Sequence, residues 1–210
     1  MRRSSATATA NRFERRRERT RAELLAAATR VLAEKGLHQT KVSDLAAAAD
    51  VGVGTFYLHF ADKETLFDAV VEDTVRRLKT TVDAARAKAS TPLEKIMAAN
   101  RAFFRFARDN REVFKIVFGH AAAYNDLIRR AQSLFIADIE QEVRDGIAAG
   151  AFAPLPPALV AQAVVGMATQ VISWWTEHES VPIESLIETT TTLALHGITP
   201  GAATKGARHG

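Results

Sequence analysis

Between Thr40 and Lys63 the chain reads TKVSDLAAAADVGVGTFYLHFADK, which leaves room for two short helices and one tight break between them. The Ala-rich run after Thr40 favours a helix. Thr40 is placed to cap that helix, its hydroxyl accepting from a free backbone N–H. Val42, Leu45 and Ala46 share one face, and Ala46 is small enough to let a second helix pack closely. Asp50-Val51-Gly52 supplies the break, with Asp50 tolerant of left-handed or turn geometry. In the second helix Phe56 and Phe60 lie four apart and point inward, which leaves Thr55, Tyr57 and His59 facing out. Gly52 and Gly54 keep the start of that helix free of bulk, so its backbone can approach a phosphate. This is a helix-turn-helix unit, whose second helix enters a DNA major groove.

The rest of the chain shows helical periodicity and no strand pattern, so an all-α fold is expected. A first helix runs to Lys35 with Leu24, Leu25, Ala28, Val31 and Leu32 on one stripe, and Gly36 ends it. Asp62 caps a long helix that stops near Ser90-Thr91-Pro92 and links the head to the C-terminal helices. Further helices are expected over 92–110, 111–118, 124–149, 158–178 and 183–196, with a Pro-rich linker at 151–157. The expected organisation is a disordered basic arm over 1–13, a helix-turn-helix domain over 14–66, a helical domain over 67–198 and a flexible tail over 199–210. With no Cys in 210 residues, disulfides, zinc fingers and thiol catalysis are excluded. Charge is uneven: residues 1–60 hold 11 Lys and Arg against 6 Asp and Glu, and the remainder 17 against 18. The surplus, with Arg15, Arg16, Arg17, Arg19 and Arg21 in one run, collects beside the helix-turn-helix, as phosphate neutralisation requires.

The run Gly54-Thr55-Phe56-Tyr57-Leu58-His59-Phe60, continued by Asp62-Lys63-Glu64-Thr65-Leu66, resembles the DNA-binding segment of the tetracycline-repressor-like (TetR) family of bacterial regulators. Asp50, Gly52, Val53 and Leu58 depart from the residues usual in that family. The resemblance implies an N-terminal three-helix DNA-binding domain and a C-terminal helical domain for effector binding and dimerisation. It also implies a cytoplasmic, nucleoid-associated homodimer that reads a palindromic operator in double-stranded DNA, most often as a repressor.

Chemistry and resemblance together assign the DNA contacts. Thr40, Lys41 and Ser43 would hold phosphate at the start of the supporting helix. Thr55 and Tyr57 would reach base edges or thymine methyls, with Gly54 allowing close approach. His59 and Lys63 would grip the backbone. For a small apolar or amphipathic effector the candidates are Met97, Asn100, Phe103, Phe118, Tyr124, Phe135, Met167, Gln170 and Trp174, though such residues equally build plain core. Asn100 stands on an otherwise apolar face, where a buried amide needs a partner. The last two helices offer a dimer face: Val160, Ala163, Val164, Met167, Val171, Trp174 and Trp175 on one, and Ile183, Leu186, Ile187, Thr190, Leu193 and Ala194 on the other. Residues 158–175 are apolar, but Gln162, Thr169, Gln170 and Ser173 interrupt them, so a buried or interface helix is expected instead of a membrane span. No enzyme motif, cofactor or metal-ligand spacing is present. Two alternatives stay open: an architectural or interaction protein on DNA without effector, and a helical binding protein or enzyme that retains a helix-turn-helix.

Overall fold

The computed structural model describes residues 4–119 and 121–198, with the side chains of 14–32, 34–118 and 126–196. Among the described residues every regular element is a helix. In order these are α1 (Ser4–Gln39), α2 (Val42–Ala48), α3 (Val53–Tyr57), α4 (Lys63–Arg86), α5 (Pro92–Asp109), α6 (Arg111–Gly119), α7 (Ala121–Ala148), α8 (Pro157–Trp175) and α9 (Ile183–Ile198). The chain divides into two compact units within α4, between Thr74 and Val75. That is later than residue 66, because Phe67, Val70, Val71 and Thr74 are all buried.

In the first unit, α1 starts at Ser4, where the sequence suggests a disordered arm to residue 13. No Gly or Pro interrupts the chain before Gly36, and Ala6, Ala8 and Ala10 are strong helix formers. The expected tail over 199–210 lies outside the described residues. Gly36 breaks the helical run with φ 70 and ψ 162, a positive-φ geometry that a Cβ disfavours. Leu24, Ala28 and Leu32 of α1 then pack with Leu45, Ala46, Phe56, Phe60 and Leu66 as one buried set. Asp50 takes φ 54, so the left-handed residue expected at the break is observed.

In the second unit, α5 opens with a reciprocal cap. Thr91 Oγ1 accepts from Glu94 N at 3.2 Å while Glu94 Oε2 accepts from Thr91 N at 3.2 Å and Ser90 N at 3.0 Å, with Pro92 in the first turn. α5 packs on α9, and α7 on α8. One apolar cluster joins Phe104, Phe106, Phe114, Ile172, Trp175, Ile183 and Leu186, and another joins Ile96, Ile139, Val143, Phe152, Val160 and Val165. A charged cluster ties α4, α5 and α7. Arg86 donates to Glu142 Oε1 at 2.7 Å and pairs with Asp138 at 2.7 Å, while Lys79 and Lys95 approach the same carboxylates at 3.0 and 3.5 Å. Glu142 is buried, so removing Arg86 would leave its charge only the longer contact to Lys95.

Packing sorts the last two helices differently from their sequence pattern. Val160 and Trp175 are core residues, as are Ile183, Leu186, Ile187 and Thr190 of α9, so these six are not free for a partner. The sequence pattern does not separate an apolar face that meets α5 from one that meets solvent. What faces out on α8 is a stripe of Leu159, Ala163, Gly166, Gln170 and Trp174, and on α9 Leu193.

Gly146 of α7 has a role that composition does not reveal. Its carbonyl accepts from Ala151 N at 2.8 Å and Phe152 N at 3.1 Å as the chain folds back, and a Cβ there would lie 2.1 Å from Phe152 Cδ2. Gly146→Ala gains about 1 kcal/mol of helix propensity but must push out the buried Phe152 ring. We expect a net loss of about 1–3 kcal/mol, read as a lowered midpoint in urea unfolding.

Candidate nucleic-acid interface

A five-residue helix cannot hold itself together in water, so α3 depends on what it is packed against. Phe56 is fully buried and meets Phe60 at 6.0 Å between ring centroids, and Tyr57 at 5.5 Å edge-on. The opposite side of α3 is left in solvent. Tyr57 is 56% exposed, Val53 44% and Leu58 73%, with Thr55 and His59 half-buried. Tyr57 therefore stands where the sequence pattern places it, on the outward side, while Thr55 and His59, expected there too, are only partly exposed. In the sequence Val53 and Leu58 stand out only as departures from the family pattern. Their exposure adds two apolar contacts of the kind that meet thymine methyl groups. Nothing lies within 4 Å of a Cβ built at Gly52 or Gly54, so neither glycine is required by packing inside the unit.

The supporting helix is capped otherwise than expected. Thr40 is only 1% exposed, and its hydroxyl donates to Gly36 O at 2.7 Å. It therefore neither caps α2 nor reaches a phosphate; the positive-φ Gly36 turns a carbonyl toward it. The N-cap residue of α2 is Lys41, and Asp44 does the capping by accepting from Lys41 N at 3.1 Å. That backbone bond, with Lys35 at 3.3 Å, holds the Asp44 carboxyl below its ordinary pKa. Lys41 and Ser43 themselves are exposed at the start of α2.

Lys63 has a structural task that its sequence position does not disclose. Its ammonium donates to Leu37 O at 2.7 Å, Thr40 O at 2.9 Å and His38 O at 3.3 Å. An ammonium has three N–H donors, so a phosphate contact by Lys63 must replace one of these bonds. Just before it, Asp62 Oδ1 accepts from Thr65 N at 2.6 Å and caps α4, and hydrogen bonds from Thr65 lower the Asp62 pKa. His59 sits beside α1. Burial pushes its pKa below the ordinary histidine value, and the charges of Arg17 and Arg21 push the same way.

The effector candidates separate in the second unit. Phe103, Phe118 and Phe135 pack partly buried against the first apolar cluster, with Phe103 and Phe118 both meeting Phe114 edge-on or tilted at 6.2 and 6.1 Å. Met97 and Met167 are half-buried. Asn100 does not await a ligand with its nitrogen: Nδ2 donates to Thr190 Oγ1 at 2.9 Å and Thr191 Oγ1 at 3.0 Å, fastening α5 to α9. Gln170 is exposed on α8, and Trp174 is exposed with its ring stacked on His178 at 4.2 Å, so neither lines an interior pocket. The side chain of Tyr124 lies outside those described. An open depression of about 320 Å³ is lined by Arg108, Arg111, Trp175, Glu179, Ile183 and Glu184, none of which carries a sequence signal for ligand binding.

Comparison with known proteins settles the class. Residues 24–70 match the model for bacterial regulatory proteins of the tetR family, and residues 89–198 match a tetracycline repressor-like C-terminal domain. The chain belongs to the TetR family. It is a DNA-binding transcriptional regulator. It is 27% identical over 165 residues to the uncharacterized HTH-type transcriptional regulator YhgD of Bacillus subtilis, covering 77% of this chain and 86% of that one. It is 28% identical over 196 residues to the transcriptional repressor KstR2 of Mycolicibacterium smegmatis, covering 89% and 94%. A match to the nucleoid occlusion factor SlmA of Actinobacillus pleuropneumoniae, at 30% identity, spans 44% of this chain and about half of that protein (46%). In fold the chain is similar to the Bacillus subtilis regulator FadR solved with stearoyl-CoA, with a TM-score of 0.74 at 20% identity, covering 84% and 98%.

The TetR head owes part of its stability to the Lys63 bridge. Lys63→Met keeps the apolar stem and removes the three donors, and we expect a loss of about 1–3 kcal/mol in thermal unfolding. The head should also weaken in acid. Asp44 and Asp62 have lower pKa values folded than unfolded, so their contribution is complete above the unfolded carboxylate value and disappears as pH falls through the folded one. Asp62→Asn should flatten that acid limb in a pH series of melting curves.

Proposed function

We propose that this TetR-family chain is a homodimeric repressor that leaves a palindromic operator when a small amphipathic ligand binds its second unit. The observation that carries the DNA half of this reading is the outward side of α3, where Val53, Tyr57 and Leu58 stand exposed beside half-buried Thr55. Apolar groups left this exposed on so short a helix cost solvation, which suits a surface that meets base edges. Thr55 and Tyr57 are assigned to base contact, with Gly54 clearing the approach. Lys41, Ser43 and His59 are assigned to phosphates, and Lys63 to positioning α4.

Dimerisation is supported by α8. Among the described residues it is the one helix long and apolar enough to cross a membrane, yet only 28% of its most apolar window is buried. A water-soluble DNA-binding protein needs a cover for the Leu159, Ala163, Gly166, Gln170 and Trp174 stripe, and the same stripe on a second copy supplies one. Small residues at 163 and 166 would let the two helices approach closely. Two heads could then read half-sites about one helical turn apart. The ligand reading is supported by Phe103, Phe118 and Phe135 packed partly buried against an apolar cluster of the second unit, with Met97 and Met167 half-buried in the same unit. The stearoyl-CoA held by the fold neighbour FadR suggests the class, a long apolar chain with a polar head. Ligand and operator would each favour a different spacing of the heads and so weaken each other's binding.

Gel-shift titration against the DNA upstream of the chain's own gene tests the reading. Wild type should select that fragment over unrelated DNA, Tyr57→Ala should weaken it about tenfold or more, and stearoyl-CoA should release it. Salt-sensitive binding without preference among fragments, unaffected by acyl-CoA, would instead favour an architectural role. For the dimer, Gly166→Arg puts bulk and charge on the outward stripe at a position where a Cβ meets nothing within 4 Å. Sedimentation should then report a folded monomer with unchanged helical content.

A further inference from the structure

The basic run on α1 is not one uniform solvated face. Arg19 is paired with Glu23 at 2.8 Å. Arg17 and Arg21, four residues apart, share a different face of α1, and both are exposed. Arg21 of that face reaches the turn that follows α3. The Arg21 guanidinium stands 5.1 Å from the centre of the Phe60 ring, and both arginines act electrostatically on His59, one residue before it. The carboxylate nearest in sequence, Asp62, is occupied by Thr65 N. Arg17 and Arg21, two exposed guanidinium groups, neither ion-paired among the described residues, thus stand near the half-buried His59. Such an arrangement is repulsive on its own and becomes favourable when an anion enters.

We propose that Arg17, Arg21 and His59 form a single anion site that takes a backbone phosphate of duplex DNA at the edge of the groove occupied by α3. The inference rests on the DNA-contacting reading of α3 and adds two things to it: a contribution from α1, and a coupling of binding to protons. In the free protein partial burial and the charges of Arg17 and Arg21 hold the His59 pKa below the ordinary histidine value. A phosphate placed among them offsets part of the arginine charge and accepts a hydrogen bond from the ring, which favours the imidazolium. Binding then takes up a proton, and linkage requires affinity to rise as pH falls through the range between the free and bound pKa values. The charged groups acting on the ring are Arg17 and Arg21 from α1, so the effect depends on them.

Phosphate contacts carry no sequence information, so a fluorescein-labelled mixed-sequence duplex serves as the probe for the full-length chain, by anisotropy at several salt concentrations and at pH 6 and pH 8. Wild type should bind more tightly at pH 6, by up to about tenfold for each unit that DNA raises the His59 pKa within that pH window. Arg17→Ala and Arg21→Ala should each reduce the slope of log affinity against log salt by about 0.9, with Arg21→Lys retaining it. His59→Gln should abolish the pH dependence while leaving most of the salt slope. Circular dichroism melts of each variant confirm that the head remains folded. If wild type binds the duplex but the arginine variants keep its salt slope, or His59→Gln keeps its pH dependence, this site is wrong while the α3 reading stands. If wild type binds no duplex at any salt concentration, both are wrong.

Discussion

The recognition helix is five residues long, about 7–8 Å of helix, and everything that makes it usable comes from its neighbours. Phe56 anchors it from below, the left-handed Asp50 turns the chain into it, and α1 and α4 must be held at a fixed separation on either side. Lys63 sets that separation. Its ammonium gathers three carbonyls from the end of α1 and the turn after it, 23 to 26 residues back in sequence. Those carbonyls are exposed in the first place because Gly36 departs from helical geometry, and one of them, Thr40 O, belongs to a residue whose own hydroxyl is tied to Gly36. Kink, hydroxyl and ammonium are therefore one device. It leaves the outer side of α3 with nothing to do inside the molecule, which is the condition for meeting another one.

The second unit solves a different problem. Its helices are apolar on more than one side, and the polar groups placed among them act as selectors of register. Asn100 joins α5 to two threonines of α9, and Arg86 with Lys79 and Lys95 joins three helices through Asp138 and Glu142. Such groups add little net stability when fully paired, but they penalise any slip that would leave one unpaired. The apolar faces left over after these choices are few. The outward stripe of α8, with Leu159 and Trp174 exposed, is one, and it is the surface on which dimer formation is proposed to depend.

Much of the head is legible in the sequence because its signals are local. The Asp50 break, the inward pair Phe56 and Phe60, and the Asp62 cap each depend on residues within one turn, and the family motif spans the same short segment. Thr40 misleads for the converse reason, and the carbonyls that Lys63 gathers are not legible either. Their partners are fixed by a kink at Gly36 and a contact across more than twenty residues, and nothing near either residue signals them. In the second unit the helices themselves are readable to within a few residues from Pro, Gly and periodicity. Which apolar side of α8 and α9 is core is not, since Ile183, Leu186, Ile187 and Thr190 look the same whether they meet α5 or a partner. Asn100 stands out in the sequence as a buried amide in need of a partner, but a pair of threonines some ninety residues on cannot be distinguished there from a ligand.

If α3 is a reading surface used in pairs, footprinting of the wild-type chain on its own upstream DNA by hydroxyl radical and methylation interference will show it. Two symmetric patches of protected major-groove guanines are expected, their centres about 34–36 Å apart, flanked by protected backbone. Uniform protection without a repeat, or interference confined to the backbone, would contradict it.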